Sequence, residues 1–439
     1  MSAAAAPVPA LDDWQAWARH VNPTLAGLLQ WTQRDQRFVH ALGNKLTCMR
    51  GEIYTDWIAG FGALALGHRP ALAMEALALF AREHAPHLLV EASNPDAGAL
   101  ARALCEATRG DFATVFFSNS GTEAVEAALK VCLAATGRKT IVHCSGAYHG
   151  TTLGSLAMMA PGVFRDPFEA ALVKWHVLDF NDVAALDAVP WSDVAALVVE
   201  PIQVESGVQA ASSRFLHEAR RRCSAHGALL VFDEVQTGLG RSGARFAYER
   251  VGVVPDVLCL AKALGLGVVP IGATLMAERL FEAAYGSVER AESHHSTYGG
   301  NALACRVALA AVHVLCDGHF LSQVAQRAER LQAKARAAWA DHPLVQRVEF
   351  HGLLGVIELR ELTHPWFDWA GLGLPQWSGR PCSGPLLLHR LHRRRLLLQP
   401  CGHAQQCLRI QPPLVFDDAD GDALVAAVRT ELDWLAAHE

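Results

Sequence analysis

Short apolar runs that end in a polar residue recur along the chain, and they predict buried strands of a parallel sheet. Residues 229–232 form an apolar run that leads directly to Asp233, and residues 257–260 form a second run that precedes Lys262. Strands that are buried on both faces show continuous apolar runs of this kind. Because parallel strands end at one edge of a sheet, Asp233 and Lys262 are predicted to meet at an edge where such sheets bind ligands.

This acid and this lysine together suit one chemistry. Lys262 follows Asp233 by 29 positions (262 − 233), about the length of a strand-helix-strand crossover. A lysine at this place can bind pyridoxal 5′-phosphate through its aldehyde, and a carboxylate can keep the pyridine nitrogen protonated so that the ring accepts electrons. For the two residues taken alone, a buried ion pair without a catalytic role is the alternative.

A Ser/Gly/Thr turn adds a candidate phosphate site. Ser120, Gly121 and Thr122 follow an apolar strand and precede a predicted helix over residues 123–135. Backbone N–H groups at the start of a helix point the same way and can hold a phosphate. Ser and Thr also cap helices without any ligand, so the turn alone leaves both interpretations open.

Two further strands are predicted to bring polar side chains to the same edge. Tyr148 lies on a glycine-flanked loop after the strand at residues 140–143, where it can stack on a pyridine ring or simply anchor the loop. The apolar run at residues 195–199 ends in Glu200, and Glu205 follows shortly after it. Three carboxylates are therefore expected near one lysine.

The two ends of the chain read differently from its centre. An early helix is predicted over residues 25–38, and strands are predicted within residues 345–359. Residues 362–385 read as a long loop or insertion, and Arg409 lies within a strand just before a Pro-Pro break. A basic cluster near residue 392 is predicted to be one solvated helix face; it consists of Arg390, Arg393, Arg394 and Arg395.

Composition bounds the class of protein. The chain has 439 residues, of which 51% are hydrophobic and 19% charged, and a formal net charge of −6, which is typical of a soluble enzyme. This charge offers no basic face for nucleic acid, and charges or glycines interrupt every apolar stretch before membrane-spanning length. The first residues lack the pattern of a signal peptide, so a cytoplasmic location is expected. The eleven cysteines are scattered, and most of them are predicted to be small buried apolar residues. His294 and His295 lack a third ligand at metal-site spacing, so no metal site is expected there.

With these motifs in view, the chain resembles the class III pyridoxal-phosphate aminotransferases. That family includes the ornithine, acetylornithine, 4-aminobutyrate, diaminopelargonate and putrescine aminotransferases. The resemblance covers about residues 50–420 and is carried by six separated motifs in the right order. Their joint occurrence is far more specific than any one of them.

The resemblance implies a role for each matching residue. Lys262 resembles the lysine that binds the cofactor, Asp233 the partner of the pyridine nitrogen, and Gln236 the donor to the ring 3-hydroxyl. Glu205 resembles the glutamate that pairs with the arginine for the substrate carboxylate, which is Arg409 here. The remaining matches are the phosphate cup Ser120, Gly121 and Thr122, the stacking Tyr148, the strand-end Glu200, and Thr297, which implies contact with the neighbouring subunit's cofactor in a homodimer.

The same resemblance implies an α/β fold of type I. A large domain with a mostly parallel seven-stranded sheet is expected over residues 71–318. A smaller α+β domain is expected from both chain ends, residues 1–70 and 319–439. Trp57 and Phe61 match the glycine-rich bend that lines the substrate entrance in the family.

The sequence departs from the family pattern at two positions. Val204 stands where many members have glycine, and Thr151 stands where ornithine and 4-aminobutyrate types have arginine. The missing cation favours a primary amine, a diamine or a biosynthetic amine over 4-aminobutyrate or acetylornithine as the donor, with 2-oxoglutarate as the expected acceptor. Residues 362–385 or the partner subunit could supply another cation.

Two rival functions differ in class. A racemase or aminomutase of the same fold would use the same cofactor but would need no separate amino acceptor. A transcriptional regulator that uses such a domain as a sensor would carry a DNA-binding module, and residues 1–50 leave little room for one. The acidic balance also argues against DNA binding.

Overall fold

A seven-stranded sheet organises the centre of the molecule. The computed structural model describes residues 14–89, 91–370, 374 and 377–439. Within them, the strands in chain order are β1 Phe38–Leu42, β2 Lys45–Cys48, β3 Ile53–Asp56, β4 Thr114–Ser118, β5 Thr140–Cys144, β6 His176–Leu178, β7 Val194–Val199, β8 Ile202–Gln203, β9 Gln209–Ala210, β10 Leu229–Asp233, β11 Val257–Leu260, β12 Gly272–Met276, β13 Val345–Phe350, β14 Gly355–Leu359, β15 Leu396–Leu397, β16 Gln399–Pro400 and β17 Cys407–Ile410.

Helices pack on the sheet and join the smaller sheets to it. The α-helices are α1 Trp14–His20, α2 Pro23–Trp31, α3 Ala71–Glu83, α4 Pro95–Ala107, α5 Gly121–Thr136, α6 Leu153–Ala157, α7 Ser213–His226, α8 Glu278–Tyr285, α9 Ala302–Leu315, α10 Gly318–Trp339, α11 Ser383–Arg393 and α12 Asp418–His438. Short 3₁₀ turns occur at Asp166–Ala171, Ala184–Asp187, Trp191–Asp193, Ala247–Arg250, Lys262–Gly265 and Pro365–Phe367.

The order of the large sheet is β4-β12-β11-β10-β7-β5-β6, and β12 runs against the other six strands. The predicted mostly parallel, seven-stranded α/β sheet is confirmed. β10 and β11 are parallel neighbours, with Asp233 opposite Cys259, and β7 lies on the other side of β10. Every residue of β7, β10 and β11 is buried, which explains why these strands read as unbroken apolar runs.

The connection between β10 and β11 differs from the helical crossover that the spacing suggested. It contains a 3₁₀ turn and several glycines but no α-helix. Glu234 holds it instead, because its buried carboxylate accepts hydrogen bonds from the N–H groups of Ala247 (2.5 Å) and Tyr248 (2.8 Å). Gly240 and Gly243 have φ values of 88° and 87°, which would break a helix in this segment.

The two chain ends meet in one small sheet. Its order is β1-β2-β3-β15, and β3 pairs in parallel with β15, so an N-terminal strand lies beside a C-terminal one. A second small sheet has the order β13-β14-β17-β16. The predicted early helix over residues 25–38 is wrong in its second half, since α2 ends at Trp31 and β1 begins at Phe38.

The cysteines follow the expectation from composition. Nine of the eleven are buried, and none is paired in a disulfide. Within the described part of the chain no single helix is long and apolar enough to cross a membrane, and one bent pair, α9 with α10 at 67°, reaches that length and composition together.

The basic cluster at the end of α11 and just after it is not simply a solvated helix face, which corrects the sequence interpretation. Arg390 and Arg394 both donate to Glu431 of α12, and Glu431 is only 3% exposed. Arg390 also lies over the ring of Trp434, 3.4 Å from its centroid. Opposite charge on a neighbouring helix, which local sequence does not reveal, therefore binds these arginines.

We predict that Glu431→Gln lowers the free energy of unfolding by about 2 kcal/mol, because two partly buried guanidinium groups lose their charged acceptor. Asp422→Asn on the same helix is the matched control. Its pair with Lys334 is well exposed, so its loss should stay within about 0.5 kcal/mol. Urea unfolding of both variants measures the difference. Equal unfolding midpoints for the two variants would contradict a stabilising role of Glu431.

Candidate active site

A cavity of about 390 Å³ opens at the carboxyl edge of the large sheet. The strands β7, β10 and β11 end there, and α5 begins there. The cavity brings together most of the residues that the sequence singled out, namely Ser120, Gly121, Thr122, Tyr148, Glu200, Glu205, Asp233, Gln236 and Lys262. Thr151 also lines it.

Asp233 is buried at the end of β10 and is held by two donors. Its Oδ2 contacts Nδ1 of His149 at 2.8 Å, and its Oδ1 accepts from the N–H of Val235 at 3.0 Å. Burial would lower the pKa of His149, but the hydrogen bond to Asp233 and the charge of that carboxylate raise it. His149 directly follows Tyr148, so its place between two glycines was a signal that the sequence reasoning did not use.

Glu200 holds the loop that carries Tyr148. Its Oε1 accepts from the N–H of Tyr148 at 2.9 Å. Burial raises the pKa of Glu200 well above the ordinary carboxyl range, since the charged form loses its hydration. The strand-end glutamate therefore fixes a loop as well as facing the cavity.

Lys262 stands at the start of the 3₁₀ turn that follows β11. Its φ of 45° lies in the left-handed region, which is unfavourable for a lysine and is typical of functional positions. Burial lowers the pKa of Lys262 to about 8, although Glu205 and Asp233 act in the opposite direction. Its Nζ donates to Oε1 of Gln236, and Gln236 Nε2 donates to Oε1 of Gln411 at 3.3 Å.

The start of α5 forms a cradle with little room for side chains. Ser120 caps the helix, because its side chain accepts a hydrogen bond from the N–H of Glu123 at 3.3 Å. The N–H groups of Gly121 and Thr122, which come first in the helix, have no intrahelical partners. Gly150 closes over Thr122, since a methyl group on Gly150 would lie 2.4 Å from Thr122 Cβ. This bare backbone at a helix start suits a phosphate.

A buried ion pair borders the cavity beside Lys262. Arg409 Nη1 donates to Glu205 Oε1, and Arg409 is only 2% exposed. Although burial acts in the opposite direction, Arg409 holds the pKa of Glu205 below its usual value. The N–H of Gly402 donates to Glu205 Oε2 at 2.8 Å, so this carboxylate stays anchored from a second side. The Arg409 guanidinium also lies 5.3 Å from the centroid of Phe61.

Phe61 belongs to a left-handed turn. The φ values of the four residues Ala59 to Gly62 are 49°, 55°, 57° and 88°. Asp56 supports the turn, because its Oδ1 accepts from the N–H groups of Ile58 (2.8 Å) and Ala59 (2.9 Å). The strained backbone presents the half-exposed ring of Phe61 to Arg409.

Four residues singled out from the sequence do not line this cavity, namely Arg409 and Phe61, which are described above, and Trp57 and Thr297. Trp57 is fully buried, and its ring centroid lies 5.1 Å from that of Phe416, so the structure does not place it at a substrate entrance. Thr297 is exposed in the loop before α9. Its neighbour Ser296 accepts from Nδ2 of Asn119 at 2.9 Å, close to the start of α5.

Comparison with known proteins identifies the family. The model of the family "Aminotransferase class-III" matches residues 32–432. The chain belongs to the class III aminotransferases. The chain is 38% identical to the putrescine aminotransferase of Pectobacterium atrosepticum over 384 residues, which cover 84% of this chain and 76% of that protein.

A second curated relative is the aminotransferase PigE of a Serratia strain, 33% identical over 461 residues. The match covers 97% of this chain but 54% of PigE, so the chain spans about half the length of that relative. Among solved structures, the ornithine aminotransferase of Toxoplasma gondii matches with a TM-score of 0.83 at 25% identity, over 99% of this chain and 97% of that one. A PLP-bound amine transaminase from an uncultivated Pseudomonas species matches with a TM-score of 0.79 at 26% identity, over 90% and 94% of the two chains.

Class III aminotransferases use pyridoxal 5′-phosphate, and this cavity fits that cofactor. It offers an amine of lowered pKa, a buried carboxylate and a helix start that glycines leave open. These three features match the aldehyde, the pyridine nitrogen and the phosphate of the cofactor.

We predict that Gly150→Ala weakens cofactor binding at least about tenfold, because the added methyl group pushes Thr122 out of the cradle. Gly110→Ala is the matched control, since Gly110 also has a positive φ, 82°, but has no atom within 4 Å of an added methyl group. Titration of the cofactor-free proteins with pyridoxal 5′-phosphate measures both dissociation constants. Equal constants would contradict the assignment of this cradle.

Proposed function

We propose that this enzyme transfers an amino group in a ping-pong reaction between a primary amine or diamine and a 2-oxo acid, with glutamate and 2-oxoglutarate as one substrate pair. The observation that carries the proposal is the buried Arg409–Glu205 pair beside Lys262. A site that alternates between a dicarboxylate and an amine needs a cation that can be offered or withdrawn. Arg409 can bind a carboxylate in bidentate fashion and return to Glu205 when the substrate has none.

Lys262 and Asp233 are proposed to be the two catalytic residues. The lowered pKa of Lys262, about 8, leaves a useful fraction of free amine near neutral pH, so Lys262 can act as a nucleophile and later carry a proton. Asp233 is proposed to keep the pyridine nitrogen protonated, and His149 orients and stabilises that carboxylate. When bound, the cofactor supplies a ring that accepts the electron pair left at the substrate carbon.

The remaining residues are proposed to hold the cofactor in place. Ser120, Gly121 and Thr122 suit the phosphate, and Tyr148 suits the ring face. Gln236 suits the ring hydroxyl because it already contacts Lys262. Thr297 is proposed to reach the phosphate of the neighbouring subunit in a homodimer, which agrees with its exposure outside its own chain's cavity.

The choice of donor rests on a missing charge. Thr151 brings a neutral hydroxyl to the cavity wall, so it provides no fixed cation for a distal carboxylate. Phe61 adds apolar surface beside Arg409. These features favour a monoamine or a diamine, and the similarity to a putrescine aminotransferase points the same way. A racemase or aminomutase would have no use for a cation that alternates between two substrates.

The covalent role of Lys262 is tested by chemical trapping. After reduction of the cofactor-loaded protein with borohydride, wild type should gain the mass of one reduced, covalently bound cofactor (the cofactor less one water plus two hydrogens), and Lys262→Ala should gain none and lose turnover. Lys174→Ala, which changes an exposed lysine, should behave as wild type. Trapped cofactor on the Lys262→Ala protein would refute the assignment.

Single-substrate half-reactions test the reaction type and the donor. Glutamate alone should abolish the visible band of the bound cofactor and release 2-oxoglutarate, whereas a racemase would show no such conversion. Putrescine should react faster than 4-aminobutyrate, and Thr151→Arg should narrow that ratio by offering a cation to the distal carboxylate. A preference of wild type for 4-aminobutyrate or N-acetylornithine by more than about tenfold would contradict the inference from Thr151.

A further inference from the structure

Two amide side chains connect Lys262 to the end of the strand that carries Arg409. Lys262 Nζ donates to Gln236 Oε1, and Gln236 Nε2 donates to Gln411 Oε1 at 3.3 Å. Gln411 follows β17, is fully buried, and donates its backbone N–H to the carbonyl of Trp57 at 3.0 Å. In both hydrogen bonds of this series, the donor lies on the side of the Lys262 amine and the acceptor on the side of Gln411.

This series of hydrogen bonds ends at Gln411 in a donor without an acceptor. Gln411 Nε2 is buried and has no hydrogen-bond partner within the described ranges, and the same holds for Arg241 Nη2. Both side chains face the bare Cα of Gly62, since a methyl group there would lie 2.5 Å from Gln411 Nε2 and 3.8 Å from Arg241 Nε. Unsatisfied buried donors cost free energy and call for an explanation.

Arg241 makes this arrangement more unfavourable. It is buried, and Nη1 donates to the carbonyls of Leu353 at 3.0 Å and Pro412 at 2.5 Å, but no carboxylate pairs with it among the ion pairs of the described residues. Burial lowers the pKa of Arg241 to about 9, so the guanidinium remains charged near neutral pH. A guanidinium beside an amide NH₂ group favours the opposite orientation of that amide, with its oxygen towards the arginine.

The cofactor would reverse what is required of Gln236. Pyridoxal 5′-phosphate carries a phenolic oxygen next to its aldehyde, and as a phenolate this oxygen accepts hydrogen bonds. The side chain that contacts Lys262 Nζ is the one best placed to meet that oxygen. Gln236 now turns its own amide oxygen to this place, where two acceptors would repel each other.

We propose that Gln411 is a positioning residue whose side-chain amide reverses together with that of Gln236 when the cofactor binds at Lys262. In the reversed pair, Gln236 Nε2 donates to the phenolic oxygen and Gln411 Nε2 donates to Gln236 Oε1. Gln411 Oε1 then faces Arg241 across Gly62, and the unpaired Gln411 Nε2 gains an acceptor. The change needs only rotation about terminal amide torsions, which have two comparable orientations.

The inference rests on the proposed covalent role of Lys262, which borohydride trapping tests separately. The test is a pH titration of the visible absorption band of the bound cofactor. The quantity compared between variants is the midpoint, which is the pH at which half of that band has been lost. The charged groups that act on Lys262 are Glu205, Arg409, Asp233 and Glu200, and all remain in every variant. The single variants are Gln411→Leu, Gln411→Glu and Gln236→Leu. The two double variants combine Gln236→Leu with each substitution at residue 411.

Gln411→Glu should raise this midpoint by about one pH unit. A carboxylate only accepts, so it holds Gln236 Nε2 and leaves the phenolic oxygen without its donor. That oxygen then keeps more negative charge and retains the proton on the neighbouring nitrogen. Gln411→Leu should raise the midpoint less, because it frees Gln236 to turn but removes the group that steadies it.

The Gln236→Leu background separates this route from other effects. If Gln411 acts through Gln236, both substitutions at residue 411 should leave the midpoint of Gln236→Leu unchanged. Wild-type midpoints in both single variants would overturn the proposal and favour a bound water at Gly62. A shift by Gln411→Glu that persists without Gln236 would overturn it as well, since it would be a direct effect of charge. Gln411→Leu adds no buried charge, so its own cycle with Gln236→Leu decides the matter even if Gln411→Glu fails to fold.

Discussion

A buried carboxylate at the end of β10 constrains the rest of the site. Asp233 is 5% exposed, and an ionised group with so little water is stable only when donors replace its hydration. His149 and the N–H of Val235 supply those donors. His149 comes from the loop after β5, so satisfying Asp233 also fixes Tyr148, whose N–H is in turn held by Glu200. One desolvated charge thereby determines the course of two loops.

The charges around the cavity act as a connected set. Arg409 and the N–H of Gly402 hold Glu205 in its ionised form, while burial favours the neutral form of Glu200. Lys262 thus works beside fewer effective negative charges than the three nearby carboxylates suggest. Burial can therefore lower its pKa despite their presence, and an amine of lowered pKa coexists with three nearby carboxylates.

The parts that could be predicted from sequence are those that local pattern determines. The apolar runs before Asp233 and Lys262 predict their strands and the shared sheet edge, because a strand that is buried on both faces shows a continuous apolar run in its own sequence. Contacts between distant residues were missed, such as His149 with Asp233, 84 positions apart, and Gln236 with Gln411, 175 positions apart. For the same reason local sequence does not reveal that Glu431 of α12 pairs with Arg390 and Arg394. The domain boundaries at residues 70 and 318, the homodimer and the cytoplasmic location stay predictions.

The left-handed turn from Ala59 to Gly62 has a consequence for how the enzyme can evolve. Non-glycine residues in this conformation cost roughly 1–2 kcal/mol each, and Phe61 bears that cost at a φ of 57° while its ring lies beside Arg409. Exchange of Phe61 for glycine or asparagine would relieve backbone strain and remove apolar surface beside Arg409 in one step. New specificities usually arise at the expense of stability. At this position the trade-off is weakened, because the change that alters the surface beside Arg409 also removes backbone strain.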